Sequence, residues 1–156
     1  FKILAQLNPK EDYEETIAAL ERGYSYFYDE MFTEIHDETS PEECEFVVQV
    51  LEMFRSFEHF LVENPSSVVH KDDHRHFGGF DGNHESKLCS FARYALLERS
   101  GLWQEQRHYA ASTDKFNSHT RMKDVYTKML RKWKSIDTPV NPTEQQVQDV
   151  IAAGRA

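Results

Sequence analysis

The side chains best able to do chemistry gather between residues 70 and 84. His70, His74 and His76 lie within seven residues, Asp72 and Asp73 stand between them, and His84 follows closely. Imidazole and carboxylate suit Zn²⁺ or Ni²⁺ when three or four of them converge at about 2 Å. A metal-dependent enzyme built on this loop is therefore one reading. The spacing lacks the helical i, i+4 pair of an HExxH motif, and a solvated polar loop accounts for the same residues without a metal. The expectation is no bound metal and no cofactor.

Directly after comes Phe77-Gly78-Gly79-Phe80-Asp81. Two glycines ahead of a helix can turn backbone N–H groups toward an anion. Asp81, placed as the cap, would occupy those groups itself and repel phosphate. The segment also matches neither GxGxxG nor a P-loop. It reads as a tight turn with Phe77 and Phe80 plugged into the core.

A third cluster is cationic. Residues 121–134 carry Arg121, Lys123, Lys128, Arg131, Lys132 and Lys134 against Asp124 alone. Projected at 100° per residue, Arg121, Lys128 and Lys132 flank one side of an apolar stripe, and Lys123 and Lys134 flank the other. Basic flanks beside a core stripe are what snorkelling side chains produce. A helix that reads phosphates needs its basic face clear and projecting, so nucleic acid is the less favoured partner. Carboxylate pairs such as Glu14/Glu15 and Glu42/Glu43 read as solvated surface or helix-start charge. No Ser-His-Asp or Cys-His arrangement has a local signature, and no catalytic residue is assigned.

Helices must position these groups. Asn8-Pro9-Lys10-Glu11 reads as a helix start, and Tyr13, Ile17, Leu20, Tyr24, Phe27 and Met31 follow on one face. Gly23 interrupts that stripe: it either ends one helix in a left-handed cap or sits inside a longer helix at a cost of about 1 kcal/mol, and two helices with a kink or tight break are the favoured reading. Tyr28, Phe32 and Ile35 extend the stripe. Ser40-Pro41-Glu42-Glu43 combines a cap, a first-turn proline and a reciprocal glutamate, and Asn64-Pro65 is the matching stop. The helix between them, about 41–63, is ~35 Å long. Phe46, Val47, Val50, Leu51, Met53, Phe54, Phe57, Phe60 and Leu61 cover half its circumference or more, which makes it the central helix. Asp81 predicts a helix from Gly82 to Arg99 with Tyr94 and Leu97 off its core face. Ser118 or Thr120 predicts the cap of the basic helix. Thr143-Glu144-Gln145-Gln146 predicts a last helix that Gly154 ends. No alternating segment suggests a strand, and no internal repeat is visible.

Composition sets the class. The chain has 156 residues, enough for one domain that buries roughly 70% of its extended surface. Eleven Phe, seven Tyr and two Trp exclude a disordered chain. The longest apolar runs are four residues (17–20, 94–97, 150–153), too short to span a bilayer. Two separated thiols, Cys44 and Cys89, read as small core residues in a reducing cytoplasm. Net charge is −9 but uneven: residues 1–65 hold 4 Lys/Arg and 16 Asp/Glu, residues 66–136 hold 13 and 8. The acidic half repels phosphates, and the asymmetry permits self-association through opposite patches. Phe1, Ile3, Leu4 and Leu7 read as the end of a helix begun upstream.

Several of these segments together resemble the YfbU family. They are Glu21-Arg22-Gly23-Tyr24, Glu42-Glu43-Cys44 leading into Val48-x-x-Leu51-x-Met53-Phe54, Phe77-x-Gly79-Phe80-Asp81, and Phe116-Asn117 ahead of Tyr126-x-x-Met129-Leu130-x-x-Trp133. The resemblance runs in order along nearly the whole chain. It implies a compact all-helical bacterial cytosolic protein lacking an N-terminal segment, and it transfers no catalytic residue. The combined expectation is an all-α array around helix 41–63, acting as a helical interaction protein or homo-oligomer. Tyr94, Leu97, Arg121, Lys128 and Lys132 are its expected contact residues. The alternatives are a metal enzyme at His70–His84 and a nucleic-acid binder at 121–134.

Overall fold

A computed structural model describes residues 14–25, 39–99, 101–136 and 141–156. The chain divides into two compact units, residues 1–38 and 39–156. In the first, helix α1 (Glu14–Arg22) ends at Gly23, whose φ of +68° is the expected left-handed cap. The helix start at Asn8–Glu11 and the stripe continuation at Tyr28–Ile35 lie outside the described residues.

The second unit is built around α2 (Pro41–Glu63). Its start is the capping box expected from sequence. The Glu43 N–H donates to Ser40 Oγ at 3.2 Å, and the Ser40 N–H donates to Glu43 Oε2 at 3.1 Å. At its end the backbone and side-chain N–H groups of Asn64 both donate to the Phe60 carbonyl. Val47, Val50, Leu51, Met53, Phe54, Phe57, Phe60 and Leu61 are all buried, as the wide apolar arc predicts. Phe54 packs on Phe57, Phe77 and Tyr126, so this ring joins three segments. Burying each such ring contributes about 1.5–3 kcal/mol.

After α2 the chain makes two short 3-10 turns, Val68–Lys71 and Asp73–Arg75, capped by Ser67 and Asp72. Phe77 and Phe80 then enter the core. Gly79 has φ +98°, and a Cβ there would lie 2.0 Å from the Phe116 carbonyl oxygen. Only glycine fits this close approach of two backbones. The approach makes one isolated parallel bridge, Phe80 to Asn117; otherwise the described residues are helical or irregular.

The expected helix 82–99 is shorter and in two parts. Residues 81–85 form a tight turn instead, closed by the Glu85 N–H on the Asp81 carbonyl. Helix α3 proper is Ser86–Arg93, continued by a π-turn over Tyr94–Glu98. The guanidinium of Arg107, from the 3-10 segment Gln104–Ala110, donates to the carbonyls of Leu96 and Arg99 beside this widened turn. That segment is anchored on α2: Trp103 Nε1 donates to Glu52 at 2.8 Å, Gln106 Nε2 to the Phe54 carbonyl, and the Tyr109 hydroxyl to Glu58 at 2.6 Å.

Helix α4 (Lys123–Ser135) and helix α5 (Glu144–Arg155) complete the unit. The Thr143/Gln146 capping box of α5 is as expected. Gly154 does not end α5. It lies inside the last turn, where a Cβ would meet Met129 Cγ of α4 at 2.7 Å, so its role is close helix packing.

A cationic face on helix α4

The α4 helix buries Tyr126, Met129, Leu130 and Trp133. Tyr126 and Trp133 stack edge-on against Phe54 and Phe57 of α2, which fixes how α4 is rotated. Its first turn is capped from far away in sequence. Neither Ser118 nor Thr120 caps it; the Glu85 carboxylate accepts from the Met122 N–H at 3.0 Å and the Lys123 N–H at 2.8 Å. The Oε2 that accepts from Met122 also accepts from the Asp81 N–H at 3.1 Å, which ties the cap to the preceding turn. A carboxylate here satisfies orphan donors and complements the helix dipole together.

With the apolar stripe fixed inward, the cations point out. Arg121, Lys123, Lys128, Arg131 and Lys134 are exposed, and Lys132 is half-buried with Asp149 at 3.7 Å. Arg121, Lys123, Lys128 and Arg131 have no ion-pair partner among the described residues. The charged heads thus stay in water on both flanks of the buried stripe, and Arg131 adds a cation on the outward side between them. Arg131 is the residue that the flank reading missed. The same 100° projection places it opposite Tyr126 and Trp133, and that was the available signal.

Two clefts border this face. Between α4 and α5, a cleft of about 500 Å³ is lined by Lys128, Arg131, Lys132, Ser135, Ala153 and Ala156. Between α4 and α2, a cleft of about 310 Å³ is lined by Phe46, Gln49, Thr127, Leu130, Arg131 and Lys134. Lys134 Nζ donates to Gln49 Oε1 at 2.6 Å, and Gln49 Nε2 donates to Glu45 at 2.8 Å, so the basic edge of α4 adjoins an acidic edge of α2. Glu42, Glu45 and Glu52 are exposed along that edge. An ammonium or guanidinium so placed recognises carboxylate or phosphate, Arg131 as a bidentate fork and the lysines as point charges.

The four histidines go separate ways. His70 Nε2 lies 3.1 Å from the Asn64 carbonyl. His74 sits near Arg155, which pairs with Asp72 at 2.6 Å and moors α5 to the loop. His76 stacks on Tyr109 with ring centres 4.2 Å apart. Burial and the neighbouring Arg75 hold its pKa below the ordinary value, and its buried Nδ1 has no hydrogen-bond partner among the described residues. His84 donates through Nδ1 to buried Asp81 Oδ2 at 2.6 Å, while its ring stays half-exposed. The Asn83 N–H and the His84 imidazole hold the Asp81 carboxyl below its ordinary pKa. Among the described residues no three His, Cys, Asp or Glu side chains are grouped to hold a metal ion. Of the expected apolar contact pair, Tyr94 is 51% exposed, whereas Leu97 packs partly buried against the core.

No helix among the described residues is long and apolar enough to cross a membrane. The YfbU domain model matches residues 1–153. A relative, the UPF0304 protein MJECS11 of Methanocaldococcus jannaschii, is 39% identical over 161 residues, covering 98% of this chain and 92% of its own length. That relative is archaeal, so the resemblance extends beyond the bacterial proteins expected from sequence. No solved structure matches the chain. The ordered motifs, the all-helical fold and both comparisons agree: the chain belongs to the YfbU family.

Proposed function

We propose that this protein is a helical interaction domain that docks an acidic protein surface on the basic face of α4, in the cytosol. The carrying observation is the set of exposed cations Arg121, Lys123, Lys128 and Arg131, which have no ion-pair partner among the described residues, in a chain of net charge −9. Like charges three and four residues apart on one helix, as at Lys128, Arg131 and Lys132, destabilise it slightly, and an acidic partner that neutralises them removes that cost. The cytosolic placement is supported by two free thiols, Cys89 buried and Cys44 half-buried.

The test is fluorescence anisotropy with a labelled poly-glutamate peptide and, separately, a labelled single-stranded oligonucleotide. At about 50 mM salt the peptide binds, and at about 500 mM, where charges are screened within about 4 Å, it dissociates. Lys128→Glu with Arg131→Glu abolishes the binding. No peptide binding, or binding indifferent to this double substitution, refutes the reading. Tighter binding of the oligonucleotide than of the peptide also overturns it, in favour of a nucleic-acid partner.

A further inference from the structure

Opposite charges lie side by side on one face of the second unit. The acidic edge of α2 carries Glu42 and Glu45, and the basic edge of α4 carries Arg131 and Lys134, all four exposed. The two edges are joined through Gln49, which contacts both Lys134 and Glu45. Between them runs the cleft floored by Phe46 and Leu130. Each charged pair is three residues apart on its helix, so both present their charges at the same axial spacing of about 4.5 Å.

From this arrangement we infer that the occupant of the face is a second copy of the chain, related by a two-fold axis that runs along the α2–α4 cleft. The inference rests on α4 being a docking face. A two-fold interface brings each surface strip onto its neighbour's counterpart, so residue i meets j and j meets i. A face that is basic throughout repels its own copy. A face with adjacent acidic and basic strips is complementary to itself: Arg131 and Lys134 of each copy meet Glu45 and Glu42 of the other. The apolar floor of the cleft then loses its water at the centre while the charges form the rim, the usual anatomy of an interface. The rim charges set partner and register, and Phe46 and Leu130 provide the apolar centre.

A charge-swap experiment tests this. One variant carries Glu42→Lys and Glu45→Lys; the other carries Arg131→Glu and Lys134→Glu. Light scattering is measured at about 100 μM, where a dimer of micromolar Kd is nearly complete. Wild type is a dimer, each variant alone is a monomer, and an equimolar mixture returns to dimer mass because both strips again face opposite charge. All four residues are exposed, and matching circular dichroism and melting curves confirm that each variant is folded. A monomeric wild type overturns the second-copy inference while leaving poly-glutamate binding by α4 as a separate result. Variants that stay dimeric, or a mixture that stays monomeric, overturn the two-fold geometry.

Discussion

Replacing Glu85 by alanine destabilises the second unit more than its half-buried position suggests. The carboxylate accepts three backbone N–H groups, from Asp81 at 3.1 Å, Met122 at 3.0 Å and Lys123 at 2.8 Å. Two of these are the first donors of α4, so their loss is the loss of a helix cap, about 1–2 kcal/mol. Removing the negative charge from the positive end of the dipole adds about 0.5 kcal/mol. The third bond adds about 1 kcal/mol. Glu85→Ala therefore costs about 3 kcal/mol. Glu85→Gln keeps one carbonyl oxygen, which can serve Asp81 and Met122 but turns an amide N–H toward the Lys123 N–H; it costs about half as much. Urea unfolding gives the totals. Amide hydrogen exchange at Met122 and Lys123 localises the effect, with those two amides losing protection before the rest of α4. If Glu85→Ala lies within about 0.5 kcal/mol of wild type, or glutamine is as damaging as alanine, the remote cap contributes nothing and this reasoning fails.

Gly79→Ala forces a Cβ to within 2.0 Å of the Phe116 carbonyl oxygen at a φ of +98°, so the bridge between residues 80 and 117 has to open. The expected loss is about 3 kcal/mol, read as a lowered melting temperature; a variant as stable as wild type refutes the close approach. His76 gives the stability a pH dependence. Its folded pKa is held below the ordinary 6.5, so the unfolded chain binds the proton more readily. The contribution is complete above the unfolded value and is lost as pH falls through 6.5 toward the folded value. His76→Phe keeps the stack on Tyr109 and removes the titration, so its stability falls less between neutral and mildly acidic pH; parallel curves for the two proteins refute the assignment.

Features written in a few adjacent residues were legible in the sequence. Ser40-Pro41-x-Glu43 and Asn64-Pro65 mark both ends of α2, and Thr143-x-x-Gln146 marks the start of α5. Gly23 marks the end of α1. The misread features depend on residues far apart. Asp81 looks like the cap of a helix beginning at Gly82, but its carboxylate is taken by the Asn83 N–H and His84, and the helix waits until Ser86. The cap of α4 comes from Glu85, more than 35 residues upstream, so no local window around Ser118 or Thr120 contains it. Gly154 has the terminator's residue type but is selected by Met129 across the α4–α5 contact. The four histidines form a cluster only along the chain, because two successive 3-10 turns send His70, His74 and His76 toward different neighbours and the turn at 81–85 carries His84 to Asp81. The outward face of α4 follows from its helical period, whereas the acidic edge that adjoins it depends on how α2 and α4 pack.

The widened turn at Tyr94–Glu98 links the geometry of two neighbouring stretches of the chain. A π-turn amounts to one residue inserted into an α-helix, and here its neighbouring carbonyls at Leu96 and Arg99 are gripped by Arg107 from the segment that follows. Deleting one residue from the turn restores ordinary helical spacing, swings the exposed Tyr94 ring about 100° around the axis, and leaves the guanidinium without its acceptors. A variant of this chain shortened by that residue therefore has to re-anchor the Gln104–Ala110 segment through other contacts.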